Sequence, residues 1–270
     1  VMLWYSAAAR IGAVFVPVNP NLTPAEVAYT FRHSGAALLL CDQSVATVAA
    51  EAVPEGRVIP LDVLREQAPY LDPLPVVDVR PEDRFLIIYT SGTTGTPKAI
   101  VLDHAAQTAA PRALAEMWGL GANDITLVAL PLGYLYGLST AAAVGLQSGG
   151  TVVILPRFHP RDVLEAFVDH RVSVYHGVPT MFSMMLDYCE QRDLTYDLGH
   201  VRTMICAGAP LAPETRQRFA ARFGADLQNY YAMTESTPVF GRLAKDPRPL
   251  PEGAVGKAAP DLKVRIVRPD

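Results

Sequence analysis

Apolar and polar positions along the chain follow two rhythms, one suited to short buried strands and one to helices of roughly ten residues. Thr23-Pro24-Ala25-Glu26 reads as a helix start, with Thr23 as N-cap, Pro24 in the first turn and Glu26 closing a capping box. This helix carries Val27, Tyr29 and Phe31 and stops at Ser34-Gly35. A short strand at 38–41, a helix at 45–52 and a strand at 58–61 follow. Pro69, Pro73, Pro75 and Pro81 then punctuate an extended stretch, which marks the join between a first αβ subdomain, 1–80, and a second, 81–270. Strands are predicted there at 85–89, 99–102, 125–130, 151–155, 172–176, 201–206 and 226–230, with helices at 138–147, 161–170, 180–190 and 212–222. Such alternation implies an α/β fold with a largely parallel sheet covered by helices. Ligands of open sheets of this kind sit off the carboxyl ends of the strands, so the loops just after strands matter most. Residues 262–267 alternate like a further strand, yet the chain stops at Pro269-Asp270 before a partner appears, and it begins with Val1. The expectation is a piece of a longer protein.

Composition narrows the function classes. The 23 basic and 27 acidic residues leave a formal net charge of -4 and no nucleic-acid footprint. Arg216, Arg218 and Arg222 fit a solvated helix face. Cys41, Cys189 and Cys206 are far apart and form no CxxC pair, which points to reduced thiols in the cytoplasm. No two of the 6 histidines stand at zinc-ligand spacing. The apolar start, 1–18, lacks a basic leader and is broken by Arg10, so it does not read as a signal peptide. No apolar run reaches the ~18 residues that a membrane span needs. Oligomeric state is not legible in the sequence.

The segment richest in chemistry is Thr90-Ser91-Gly92-Thr93-Thr94-Gly95-Thr96-Pro97-Lys98, between two apolar strands. Glycines let the backbone approach a ligand so that consecutive N–H groups converge on an anion. Hydroxyls add neutral donors, and Lys98 adds one mobile charge. A polar hairpin loop would not require so many hydroxyls. Lysine is also scarce: Lys98 precedes Lys245, Lys257 and Lys263, against 19 arginines. A polyphosphate ligand accounts for the set. The spacing is not that of a Walker loop, because Thr96 and Pro97 separate Gly95 from Lys98 and no hydroxyl follows. Neither G-x-G-x-x-G after a strand nor a G-x-S-x-G elbow occurs, which disfavours Rossmann dehydrogenases and serine hydrolases.

Thr90 to Lys98 resembles the phosphate-loop signature of the adenylate-forming superfamily: acyl-CoA synthetases, adenylation domains of peptide synthetases and firefly-type luciferases. Later segments agree in order. Cys206-Ala-Gly-Ala-Pro-Leu211 resembles the adenine-side segment, Asn229-Tyr-Tyr-Ala-Met-Thr-Glu235 the aromatic-Met-Thr-Glu motif, and Gly253-Ala-Val-Gly256 the stretch beyond. Val18-Asn-Pro20 and the capped helix also resemble the family, so the likeness covers nearly the whole chain but only the middle of a family member.

The resemblance implies residue roles. ATP or AMP is bound by Thr90, Ser91, Gly92, Thr93, Thr94, Gly95 and Lys98, and by Gly208, Ala209, Pro210, Asn229, Tyr230, Tyr231 and Thr234. Tyr231 would stack on adenine and Thr234 bond the α-phosphate. Glu235 would hold Mg2+, which suits a carboxylate. Lys98, Thr234 and Glu235 are the implied catalytic set. Tyr134, Tyr136, His176, Gly177 and Val178 are the implied acyl pocket. Many acyl-CoA synthetases carry histidine where Tyr134 stands, which puts an orienting role there in question. No Asp lies between Pro131 and Gly137 to hold a substrate amine, which favours a plain carboxylic acid over an amino acid. Ala99 and Ala232 replace family glycines, at little cost unless φ is positive there.

The implied activity is ATP-dependent formation of an acyl adenylate from a small carboxylic acid, then thioester formation with coenzyme A. The family's ribose-binding Thr-Gly-Asp, hinge and C-terminal lysine are expected beyond Asp270, so this chain alone is expected to turn over poorly. A non-catalytic nucleotide-binding or interaction module stays open, as does a luciferase-like oxygenase. Pocket candidates, with Met181 and Met204 among them, lean towards an aliphatic or aromatic monoacid.

Overall fold

The structure is a computed structural model that describes residues 1–270 except 55, 68–71, 73–75, 91–96, 247, 252 and 269–270, and the side chains of Gln67 and Thr237. The chain divides into two compact units, Val1–Gln107 with Leu132–Tyr134, and Thr108–Pro131 with Leu135–Asp270.

Unit 1 begins with α1 (Met2–Arg10), a helix that the sequence pattern does not single out, and α2 (Pro24–Ser34). The expected capping box on α2 forms: Glu26 N–H donates to the Thr23 hydroxyl, and Thr23 N–H donates to the Glu26 carboxylate at 2.8 Å. Strands β1 (Leu39–Cys41) and β2 (Val58–Pro60) pair in parallel, with α3 (Ala46–Ala52) between them and α4 (Leu61–Gln67) after them. Val27, Ala28 and Phe31 of α2 bury against Ala52 and Val53. An antiparallel hairpin, β3 (Arg84–Thr90) and β4 (Lys98–Asp103), belongs to the same unit. Residue 80 therefore falls inside unit 1. Backbone bonds of Phe15 to Phe85 and Ile87 tie the early chain to β3, and Tyr5 packs its ring 4.8 Å from Phe85.

Helix α5 (His104–Trp118) leads into unit 2. It is not among the helices predicted above, and it continues through Pro111 in its interior. Strands β5 (Ile125–Val128), β6 (Thr151–Ile154), β7 (Val174–Gly177), β8 (Thr203–Cys206) and β9 (Leu227–Met233) run parallel, and β10 (Ser236–Gly241) and β11 (Lys257–Ala258) add an antiparallel edge. The order across this sheet is β11-β10-β9-β8-β7-β5-β6. Residues 262–267 form no strand and expose Val264, Ile266 and Val267. Ladder bonds to a partner would define a strand; alternation alone does not.

The sheet is buried on both faces. Helices α7 (Pro160–Asp169), α8 (Pro179–Arg192) and α9 (Pro213–Phe223) bring Phe167, Phe182 and Phe219 onto Leu127, Tyr175, Met204 and Leu227. The other face packs Leu114, Met117 and Trp118 of α5 and Val144 of α6 (Val144–Gln147) on Val174, Ile205 and Tyr230. The expected helix at 138–147 is instead a π-helix, Tyr136–Ala143, followed by α6. Gly137, its second residue, packs closely: a Cβ there would stand 2.5 Å from the Pro131 carbonyl oxygen. Short π segments of this kind recur near functional sites.

Candidate active site

Unit 1 carries the stalk of the glycine-hydroxyl loop. Thr90 pairs with Lys98 across the last rung of the β3–β4 ladder, and Lys98 is exposed. Ser91, Gly92, Thr93, Thr94, Gly95 and Thr96 lie outside the described residues. Tyr134 groups with this unit too: it is 43% exposed, and its hydroxyl accepts from Asn19 Nδ2 at 3.0 Å. The side chain that replaces the family histidine thus contacts the Val18-Asn-Pro20 segment.

In unit 2 the strand order itself selects an edge. The chain leaves β5 for β6 on one side, while β7 lies on the other side of β5 and leads on to β8 and β9. Beyond the carboxyl ends of β5 and β7 this reversal makes a switch point, where α/β sheets bind ligands. The strand ends are level: Val128 registers with His176, His176 with Ile205, Gly177 with Cys206, and Cys206 with Asn229. Val178 follows β7 directly, and Gly208, Ala209 and Pro210 come just after β8. Gly208 has φ of 84°, and a Cβ on it would come 3.3 Å from Val178 Cγ1. The predicted adenine-side and acyl-side segments are therefore neighbours, and a larger residue at 208 would be strained. Gly208, Ala209 and Pro210 are exposed.

Tyr136 and His176 lie deeper. The Tyr136 hydroxyl is within 3.2 Å of the Gly177 and Ile205 carbonyl oxygens, bridging the ends of β7 and β8. His176 is 0% exposed, with the rings of Trp118 at 5.1 Å and Tyr136 at 5.9 Å, both edge-on. Neither of its ring nitrogens has a hydrogen-bond partner among the described residues. Burial without a compensating bond pushes the imidazole down to about 3, so it is neutral at ordinary pH. A buried, unpaired imidazole is costly. Trp118 is absent from the sequence-derived set. Its only signal was rarity, as one of 2 tryptophans.

The Met-Thr-Glu motif forms a tight hairpin: β9 ends at Met233, Ser236 registers opposite it, and Thr234 and Glu235 make the turn. Alternation along β9 separates the two tyrosines assigned to the nucleotide. Tyr230 is 4% exposed and packs 5.2 Å from Trp118 in the core. Tyr231 is 45% exposed, with its ring stacked at 6.3 Å and 29° on Phe240. Asn229 is half-buried beside Cys206, and burial pushes the Cys206 thiol up to about 12, so it is not a nucleophile. No positive φ falls on Ala99 or Ala232, which removes the steric need for glycine at either. Glu235 is exposed and makes no ion pair among the described residues; nor do three His, Cys, Asp or Glu side chains gather there for a metal. Magnesium does not need such a cluster, since one or two carboxylates plus substrate phosphates can hold it. A groove of about 320 Å³ along α5, lined by Pro111, Arg112 and Ala115, contains none of the predicted residues.

The profile of the family described as AMP-binding enzyme matches residues 1–270. A feruloyl-CoA synthase of Amycolatopsis is 34% identical over 97% of this chain and 52% of its own length. The 4-coumarate–CoA ligase 1 of Solanum tuberosum is 28% identical over 98% of this chain and 52% of its own length. Among solved structures, ATP-bound MatB from Rhodopseudomonas palustris superimposes with a TM-score of 0.84 at 30% identity, over 96% of this chain and 52% of that one. The inhibitor-bound N-terminal domain of FACL13 from Mycobacterium tuberculosis gives a TM-score of 0.84 at 29% identity, over 94% and 65%. The chain spans about half the length of the curated relatives it matches. With a profile match along its whole length and a mostly parallel, helix-covered sheet of the same shape, this chain belongs to the AMP-binding enzyme family.

Proposed function

We propose that the full-length protein activates a small carboxylic acid with ATP, forming an acyl adenylate and pyrophosphate, and passes the acyl group to coenzyme A with release of AMP. The observation that supports this most is the switch point of unit 2. Segments read from the sequence as acyl-side and adenine-side leave adjacent parallel strands at one carboxyl edge, with the Thr234–Glu235 turn after the next strand. Relatives named for coumarate and ferulate, and a malonyl-CoA ligase structure with methylmalonyl-CoA and AMP bound, point to the same reaction class.

In this reading the substrate carboxylate attacks the α-phosphorus in line and pyrophosphate leaves. No covalent protein nucleophile is required, so positioning and charge stabilisation carry the rate. Lys98 and the hydroxyls of the 90–96 loop hold the departing pyrophosphate. Thr234 bonds the α-phosphate, Tyr231 stacks on the adenine, and Gly208, Ala209 and Pro210 wall it closely. Glu235 would hold magnesium, which when bound neutralises charge on the phosphate oxygens. Tyr136, His176, Gly177 and Val178 border the acid. The coenzyme A thiol then attacks the acyl carbonyl and AMP departs. All three cysteines are buried thiols, which fits a reducing compartment such as the cytoplasm; no helix among the described residues is long and apolar enough to cross a membrane.

The test is acid-dependent exchange of labelled pyrophosphate into ATP by the full-length protein, across hydroxycinnamic, malonic-type and fatty acids. Lys98→Ala is expected to lower exchange by about 100-fold. Binding of Mg-ATP with no exchange for any acid would favour a non-catalytic nucleotide-binding module instead.

A further inference from the structure

We infer that Asn19 is a positioning residue, one that presets the Tyr134 hydroxyl to donate a hydrogen bond to a carboxylate oxygen of the acid substrate. The inference rests on the proposed reaction and on the place of Tyr134 in the acyl pocket that the sequence implies.

Both ends of the Asn19 carboxamide are committed, and together they fix its orientation. Asn19 Oδ1 accepts from the Asn21 N–H at 2.9 Å, and the Asn19 carbonyl accepts from the Leu22 N–H at 3.2 Å. Residues 19–22 thus form a tight turn just before the capped start of α2. An amide turned the other way would aim its NH2 group at the Asn21 N–H, two donors facing each other. The NH2 group is therefore the side that meets Tyr134, and Nδ2 donates to the Tyr134 hydroxyl at 3.0 Å. A phenol that accepts in this way keeps its own proton for a second partner. Tyr134 makes no other hydrogen bond among the described residues and is exposed, so that proton is open to a ligand.

The two segments approach closely enough to hold this geometry. A Cβ on Gly133 would stand 2.9 Å from the backbone N and Cα of Asn19, so the 132–134 turn lies directly on the residue that its tyrosine meets. Leu132–Tyr134 group with Asn19 in unit 1, while the residues on either side of them group with unit 2.

The turn at 19–22 does not by itself call for asparagine, because aspartate makes the same side-chain turn. What the amide adds is a donor. A carboxylate at 19 would accept both from the Asn21 N–H and from Tyr134, drawing the phenol proton inward and away from a ligand. The amide thus decides the polarity of the hydroxyl that the acid meets. A hydrogen bond to a charged carboxylate is among the stronger kinds, and a donor that is already aimed loses little freedom on binding.

The experiment is acid-dependent exchange of labelled pyrophosphate into ATP by the full-length protein with 4-coumaric, methylmalonic and octanoic acids. It is run in about 0.5 M salt, which screens direct repulsion between an added carboxylate and the acid. KM for the acid, KM for ATP and the melting temperature are read for wild type, Tyr134→Phe, Asn19→Asp and the double variant. Tyr134→Phe should raise KM for the acid by about 10-fold and leave KM for ATP within about 2-fold. Asn19→Asp should match it, with a melting temperature within about 2 °C of wild type because the turn survives. The double variant should be no worse than Tyr134→Phe alone, since both changes act on one bond. A wild-type KM for the acid in either single variant would overturn this inference and leave the proposed reaction standing. A further rise in the double variant, or a rise in KM for ATP together with a lower melting temperature, would also overturn it, because Asn19 would then act through charge or through the scaffold. If wild type exchanges pyrophosphate with none of the three acids, the proposed reaction fails and this inference fails with it.

Discussion

The two ends of the same parallel strands in unit 2 are built on opposite principles. At the amino ends of β5, β7 and β8, Asp124 is nearly saturated. It accepts from Ser173 Oγ and Arg202 Nε at 2.8 Å, from Gly121 N–H at 2.9 Å and from Arg202 Nη2. Arg202 spends its remaining donors on the carbonyls of Trp118 and Gly119 and on the Thr203 hydroxyl. At the carboxyl ends, His176 is buried without a partner among the described residues, and Tyr231 and Glu235 face solvent. The polar cluster around Asp124 is paired within the chain, whereas His176 is left unpaired among the described residues, at a cost to stability.

The largest expected effect lies at the carboxyl edge. Glu235→Gln in the full-length protein should lower pyrophosphate exchange by about 100- to 1,000-fold and leave the melting temperature unchanged. A fall in stability instead would assign Glu235 to the fold. Next comes the amino edge. Asp124→Ala removes the acceptor shared by Ser173, Gly121 and a guanidinium that is 40% exposed, and should cost about 2 kcal/mol in denaturant unfolding, with ligand affinity in the folded fraction intact.

The pH dependence of stability separates the two edges. Burial by itself would raise the Asp124 carboxyl, but bonds from Arg202, Ser173 and Gly121 outweigh it and hold it below its ordinary 3.8. Its contribution is therefore present above that value and lost as pH falls further. His176 is lowered from 6.5 to about 3, so the fold favours its neutral form, and its contribution is lost from pH 6.5 downward. Stability should fall with a slope of about 1.4 kcal/mol per pH unit from this one group between those values. His176→Leu should flatten that limb in urea titrations and leave the loss below pH 4 that Asp124 contributes. An unchanged slope would mean that His176 is protonated, or paired, in the folded protein. The smallest effect belongs to Tyr136→Phe, which removes the hydroxyl that bridges two strand ends. It should cost about 1 kcal/mol, seen as a drop of a few degrees in a melt.

Much of the fold was legible because local chemistry agreed with the tertiary outcome. Thr23 and Glu26 form the capping box that their spacing predicted, and the strand–helix rhythm from 125 to 230 became the parallel sheet. The misses have physical causes. Helix α5 was not predicted, and it runs through Pro111, a residue type that ordinarily interrupts a helix. The apolar, small-residue run after Pro131 reads as an α-helix, yet the close approach of Gly137 to the Pro131 carbonyl accompanies a π-helix. Residues 262–267 have strand alternation and no ladder partner.

The site was legible as a set of residue types and opaque as a geometry. Glycines, hydroxyls and one isolated lysine at 90–98, and the order of the later motifs, were enough to point to polyphosphate chemistry and to the family, because backbone access and charge are properties of residue identity. Which tyrosine of the 230–231 pair faces solvent depends on the register of β9 against its neighbours, a long-range matter. That Tyr134 reaches Asn19 and that Trp118 closes over His176 are likewise outcomes of contacts between residues distant in the chain. Local sequence determines what a side chain can do, and only packing decides what it meets.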